Sequence, residues 1–261
     1  CLAFPGAVHT RFAHAIGSAH VMTLFVARIR EIHDELPFWQ RLTSEHARDA
    51  IAAALLHDLG HGPFSHLFED ALHAARVVVA AAEGTGVGDM TATRRHEDWT
   101  EQILLDESTG VNRVLREQGA ELPRRVAELI RGRHQLPYLA RAVSGTFDVD
   151  RCDYLLRDAH GSGVHHGEYD LAWLLRTLRL GPSEPDNQRT PGLAIDGTKG
   201  LSAIESFVLA RLFMFQQVYF HKSTRAAECM IRMIVLRAVQ LLRAGVRLSP
   251  APPALAAVAR V

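Results

Sequence analysis

Cysteine is scarce. The three present, Cys1, Cys152 and Cys229, are scattered and form no CxxC pair. That excludes a disulfide-stapled scaffold and fits a reducing, cytoplasmic setting. Net charge is absent too: 29 basic and 29 acidic residues cancel. No global field then draws the chain to nucleic acid, although a local basic pocket remains compatible with this balance. No apolar run reads as a membrane span and no segment reads as a signal peptide. No internal repeat and no second domain stand out. The chain begins at Cys1 without methionine, and its first residues read like the interior of a domain, so the sequence is expected to belong to a longer protein.

Histidine is what the chain has in excess. There are 15 in 261 residues, against an ordinary 48% hydrophobic and 22% charged content. Imidazole is the commonest metal ligand and titrates near neutral pH, so the excess points to a metal-dependent enzyme. The densest stretch runs from Ala54 to His66. An apolar helical run ends in His57-Asp58, Gly60 and Gly62 break it, and His61 and His66 follow. An ionised aspartate turned inward there is costly unless a cation meets it, and a divalent ion is the strongest such partner.

Elsewhere the apolar spacing predicts helices over about 14–34, 64–75, 94–106, 110–118, 123–133, 171–178, 201–217 and 224–242. The polar face Asp150, Asp153, Tyr154, Arg157 and Asp158 predicts another helix, whose opposite face holds Cys152, Leu155, Leu156 and Ala159. That polar face reads either as a solvated surface or as a site wall. The stretch from Leu178 to Lys199 reads as a two-stranded ribbon with a turn near Pro182 to Asn187. Gly84 to Gly88 lacks the Lys-Ser/Thr of a phosphate loop and reads as a plain loop. The expected fold is all-α with a small β-ribbon: one domain over residues 1–245, then a Pro/Ala-rich tail over 246–261.

Taken together, His14, His57, Asp58 and Asp150 offer two imidazoles and two carboxylates. That set suits one divalent ion among Mn, Fe, Co, Ni, Zn and Mg. His61, His66 and His96 with Glu69 and Glu97 supply acid/base groups around it, although His96-Glu97 reads equally well as a solvated helix start. Arg11, Arg151, Arg157 and Arg211 are the cations to set against phosphates, each on its own equally a surface ion pair. Tyr154 and Tyr219 could pack on a sugar or base.

These residues sit in three blocks: Phe4-Pro5-Gly6-Ala7 through His9-Thr10-Arg11-Phe12-Ala13-His14, the His57 to His66 stretch, and Asp148 to Asp158. From Phe4 to about Lys222 the chain resembles the HD-domain phosphohydrolases, in the branch of the deoxynucleoside triphosphate triphosphohydrolases. The resemblance implies a mostly helical HD fold and a metal held by His14, His57, Asp58 and Asp150. It implies release of inorganic triphosphate and a deoxynucleoside. It places His61, His66, Glu69 and His96 at catalytic positions, and Arg11, Arg151 and Arg211 at phosphate positions. Tyr154, Asp158 and Tyr219 fall near the sugar and base. It also implies a homo-oligomer, for which the Phe- and Leu-rich helices after Leu201 offer a face, and a nucleotide activator. The alternatives are an HD phosphohydrolase or phosphodiesterase acting on another nucleotide, phosphoester or nucleic-acid end, and a non-catalytic HD regulatory module. Ala13 stands where the branch commonly has Glu, leaving His14 without that supporting carboxylate.

Overall fold

A computed structural model describes residues 3–83, 94–184 and 187–246. The Gly84 to Gly88 loop and nearly all of the expected tail lie outside the described residues. The architecture is helical: α1 (Arg11–Ile32), α2 (Ser44–Leu56), α3 (His66–Glu83), α4 (His96–Leu105), α5 (Gly110–Gln118), α6 (Leu122–Ile130), α7 (Pro137–Val143), α8 (Val149–Ser162), α9 (Leu171–Arg176), α10 (Leu201–Met214) and α11 (Lys222–Arg243). Between α9 and α10, β1 (Leu178–Glu184) and β2 (Asn187–Ile195) form one antiparallel ribbon. Its register pairs Leu178 with Ile195 and Leu180 with Leu193, with an irregularity between Pro182 and Glu184.

Helix α1 starts where Thr10 accepts a hydrogen bond from the Ala13 N–H, the usual way an orphan amide is satisfied at a helix start. Its buried stripe, Val21, Met22, Phe25, Val26 and Ile29, lies in the main core beside Ala50, Ala53 and Ala54 of α2 and Cys152, Leu155 and Ala159 of α8. Helix α8 is set by Asp148, whose side chain accepts the Arg151 N–H, and it ends at Gly163 with φ 73°. That left-handed cap suits glycine. The C-terminus of α2, the N-terminal half of α1 and the start of α8 therefore meet, which is how three distant blocks of sequence become one site.

Two expectations change. Helix α1 and the Leu201–Tyr219 segment are long and apolar enough to cross a membrane by length and composition alone, with mean hydropathy 1.3 and 1.2 over their best windows. In α1 the apolar stripe faces other helices and the same helix carries Arg11 and His14 into a polar cleft, so core packing accounts for its composition. Helix α7 falls where no element was expected. Pro137 opens it, and Tyr138, Leu139, Ala140, Ala142 and Val143 are all buried. A seven-residue helix whose single exposed charge is Arg141 is too short and too apolar for an amphipathic period to be read.

Candidate metal centre

The backbone around the His57-Asp58 doublet is locked by α4. Thr100, fully buried, accepts the Gly60 N–H at 2.8 Å and donates to the His57 carbonyl at 3.2 Å. A Cβ on Gly60 would fall 2.2 Å from the His96 carbonyl oxygen, so only glycine fits. Downstream, Phe64 and Ser65 both take left-handed φ values of 63° and 56°. That conformation is strained for residues with a side chain. It turns the chain sharply into α3 and sets Ser65 against the Arg11 guanidinium.

Both imidazoles of the expected ligand set aim the same nitrogen at one point. His14 Nδ1 lies 2.7 Å from Asp153 Oδ2, and His57 Nδ1 lies 2.8 Å from the Ala54 carbonyl oxygen. Carboxylate and carbonyl oxygens only accept, so each Nδ1 carries a proton and Nε2 is the nitrogen that offers a lone pair once the ring is neutral. His14 Nε2 lies 3.0 Å from Asp150 Oδ1 and 3.9 Å from Asp58 Oδ2. His57 Nε2 lies 3.3 Å from Asp58 Oδ1 and 3.5 Å from Asp150 Oδ1. His57 Nε2 is buried and makes no hydrogen bond. An orphaned buried nitrogen between two carboxylates is costly, and a divalent cation removes the cost. The four residues named from sequence thus converge and fit such an ion.

Electrostatics supports the same point. Burial works against charge on all four groups, yet the two carboxylates sit far below their usual range, held there by the facing imidazoles and, for Asp58, by Arg11. Burial lowers His14, but Asp150, Asp153 and Asp58 lift it to about 9. At pH 7.5 a His14 with that value carries a proton in the metal-free protein, and coordination needs neutral Nε2. Metal binding should therefore release protons, and affinity should rise with pH up to about 9. Calorimetry in buffers of different ionisation enthalpy reads the proton count; a count of zero at pH 7.5 would contradict this.

Sequence reasoning left Asp153 out of the candidate site. It is buried, takes a bidentate pair from Arg157 at 2.8 and 2.8 Å, and holds His14. It provides the support that Ala13 does not. Arg157, paired this way, orients Asp153 as well as lining the cavity. Asp153→Asn should lower metal affinity about 10- to 100-fold with the fold kept; equilibrium dialysis measures it, and an unchanged affinity would mean the His14 orientation is fixed elsewhere.

A cavity of about 580 Å³ opens over this centre. Arg11, His14, Asp58, His61, His66, Asp150, Tyr154, Arg157, Asp158 and Tyr219 line it, joined by His9, Thr10, Ser65 and Phe215, which sequence reasoning had not placed there. Asp158 accepts the Tyr219 hydroxyl at 2.8 Å and lies 2.7 Å from His9 Nε2. A short π-helical turn, Phe215–Tyr219, brings both of its aromatic ends to this wall. A smaller cavity of about 310 Å³ meets the same centre from the other side and holds Arg95, His96, Glu97 and Arg151. Arg151 is engaged there by Asp148 and the Gly145 carbonyl. Arg211 lines neither cavity; it lies over the Phe215 ring, 5.1 Å from its centroid.

Beside the centre, Glu69 gathers three imidazoles. Its Oε1 is 3.1 Å from His96 Nδ1 and 3.3 Å from His61 Nδ1, and its Oε2 is 3.7 Å from His66 Nδ1. His61 and His96 stack with centroids 3.8 Å apart, while His66 stands exposed at the rim. The structure thus places together the four residues that the resemblance had put at catalytic positions.

Two family models match the chain: the HD domain over residues 11–158 and the HD-associated region over residues 186–246. The chain is 36% identical to the uncharacterized protein YwfO of Bacillus subtilis, over 96% of this chain and 50% of that protein. It is 29% identical to the deoxynucleoside triphosphate triphosphohydrolase SAMHD1 of Danio rerio, over 69% of this chain and 30% of that protein. A solved phosphohydrolase from Bacteroides thetaiotaomicron superposes with a TM-score of 0.74 at 30% identity, covering 100% of this chain and 54% of that one. The chain thus spans about half the length, or less, of these relatives. The matched span begins at Arg11 and ends at Asp158, enclosing the convergent histidines and aspartates, and by that match the chain belongs to the HD-domain family.

Proposed function

We propose that this site is a metal-dependent phosphohydrolase that splits deoxynucleoside triphosphates into deoxynucleoside and inorganic triphosphate. The observation that carries the reading is the pair of imidazole Nε2 atoms, one of them buried without a hydrogen bond, facing two carboxylates at the floor of a large cavity. The likeness to a relative named for that activity supports the substrate class.

His14, His57, Asp58 and Asp150 would hold the ion. A divalent ion held there would supply Lewis-acid polarisation of a phosphoryl group and would make water more acidic. Arg11, 2.5 Å from Asp58 and touching Ser65, presents its guanidinium to phosphate oxygens from the floor of the cavity. His66, exposed at the rim and backed by Glu69, donates the proton to the leaving oxygen; His61 and His96 share Glu69 and keep its charge beside the α-phosphoryl group. Tyr154 and Tyr219 wall the sugar and base, with Asp158 accepting a sugar hydroxyl. Arg151 reaches phosphates from the smaller cavity. Arg211 lies over the Phe215 ring and so positions that part of the cavity wall. Exposed Leu201, Val208, Leu209, Leu212 and Phe213 on α10 offer the face for a second copy.

A second reading, hydrolysis of a smaller phosphoester, has one observation in its favour. Arg11 and Arg157, the two arginines lining the large cavity, are both already paired with carboxylates. Incubating the protein and Mn or Mg with each dNTP, singly and mixed, and separating products by anion exchange decides between the readings. Inorganic triphosphate supports the first; orthophosphate alone, or turnover of monophosphates only, favours the second.

Arg11→Ala should weaken dNTP substrates about 10- to 100-fold, the worth of a charged hydrogen bond, while competitive inhibition by a free deoxynucleoside changes little. Equal losses for both would remove Arg11 from phosphate binding.

A further inference from the structure

We infer that His61, His66, Glu69 and His96 form a second binding site for a divalent transition metal, adjoining the centre at His57-Asp58, where His61 Nε2 lies 3.4 Å from Asp58 Oδ1. Each offers one ligand atom, and these atoms lie within 4.8 Å of one another. Three imidazoles and one carboxylate, without sulfur, make a donor set of the zinc, cobalt or nickel type.

Two orphaned atoms argue that hydrogen bonding alone does not satisfy this cluster. His61 Nδ1 and His96 Nδ1 both face Glu69 Oε1. Stacked rings compete for that one oxygen, and His61 Nδ1 is left buried without a hydrogen bond. Glu97 Oε2, 3.5 Å from His96 Nδ1, is likewise buried and unpartnered. A ring nitrogen and a carboxylate oxygen left unpartnered around the same two rings are what a cation would satisfy, once the His61 proton has moved from Nδ1 or left the ring. Parallel rings send their lone pairs in parallel, so convergence takes a rotation of the His96 ring about its Cβ–Cγ bond. The smaller cavity, which His61, His66, His96 and Glu97 line, has room for it.

Filling this site takes the His66 and Glu69 pair out of proton transfer. Excess zinc should then slow the manganese-loaded protein, an effect that rests on the proposed function, whereas metal binding itself does not.

Cobalt(II) and zinc titrations of the whole protein, read by cobalt ligand-field absorption and by metal analysis after dialysis, test the site. Two equivalents are expected in the unsubstituted protein. His57→Ala should lose the first and keep the second. His66→Ala, at an exposed position that leaves the packing alone, should weaken the second about tenfold or more, and His96→Asn should remove it. A single equivalent in the unsubstituted protein, or a second equivalent unmoved by both His66→Ala and His96→Asn, overturns the proposal. Two equivalents without triphosphate release would leave this site standing and refute the proposed reaction. Triphosphate release with one equivalent would do the reverse.

Discussion

His57→Ala should give a folded helical protein that binds no metal at the central site and turns over at less than about one hundredth of the original rate, since even supporting residues of metal sites are worth 10- to 100-fold. The two consequences separate because His57 does two different things. Its Nδ1 closes a hydrogen bond to the Ala54 carbonyl near the end of α2, worth about 1 kcal/mol to the fold. Its Nε2 is buried without a hydrogen bond and faces Asp58 and Asp150, so removing it gives up an attraction to those carboxylates but also relieves its own desolvation cost. Circular dichroism, metal analysis and product release should therefore diverge. Full metal content with full activity in this variant would remove His57 from the site.

Gly60→Ala should do the opposite, damaging fold and site together. Its new Cβ would fall 2.2 Å from the His96 carbonyl oxygen and 2.4 Å from the Thr100 amide nitrogen, both backbone atoms. Helix α4 would have to move off the His57–Gly62 turn and give up the two Thr100 hydrogen bonds. We expect a loss of about 3 kcal/mol, the upper end of what overpacking costs, and displacement of His96 from Glu69. Chemical denaturation measures it; a loss below about 1 kcal/mol would mean that α4 yields easily. Gly163, by comparison, has open space around its Cβ position and needs glycine only for its left-handed backbone.

What sequence could show followed from what side chains do locally. The His57-Asp58 doublet and the polar face containing Asp150 stood out because ligand-type residues were crowded where a helix ends or turns one face. Helix α2 ends just before the His57-Asp58 doublet, and α5 runs over the expected 110–118. Asp153 escaped because i, i+3 spacing put it on the same polar face as Asp150, and nothing in spacing tells an ion ligand from the carboxylate that holds the ligand's other nitrogen. Thr100 escaped because its partners, the Gly60 amide and the His57 carbonyl, are backbone groups some forty residues away. Arg211 was set against phosphates from its charge; the orientation of α10 and the π-helical turn places it over Phe215. Long-range packing, which spacing does not encode, separates these residues from those that were legible.

The left-handed pair Phe64 and Ser65 bears on how this protein would respond to selection for heat resistance. Each residue holds about 1 kcal/mol of avoidable backbone strain. Glycine at either position would release it, so a screen rewarding survival alone would find these sites early. The released turn is also the one that carries Ser65 to Arg11 and starts α3 at His66. Hardier descendants of this chain would then be slower ones, and a thermostability campaign should hold 64 and 65 fixed while seeking its gains on the outer faces of α5 and α6.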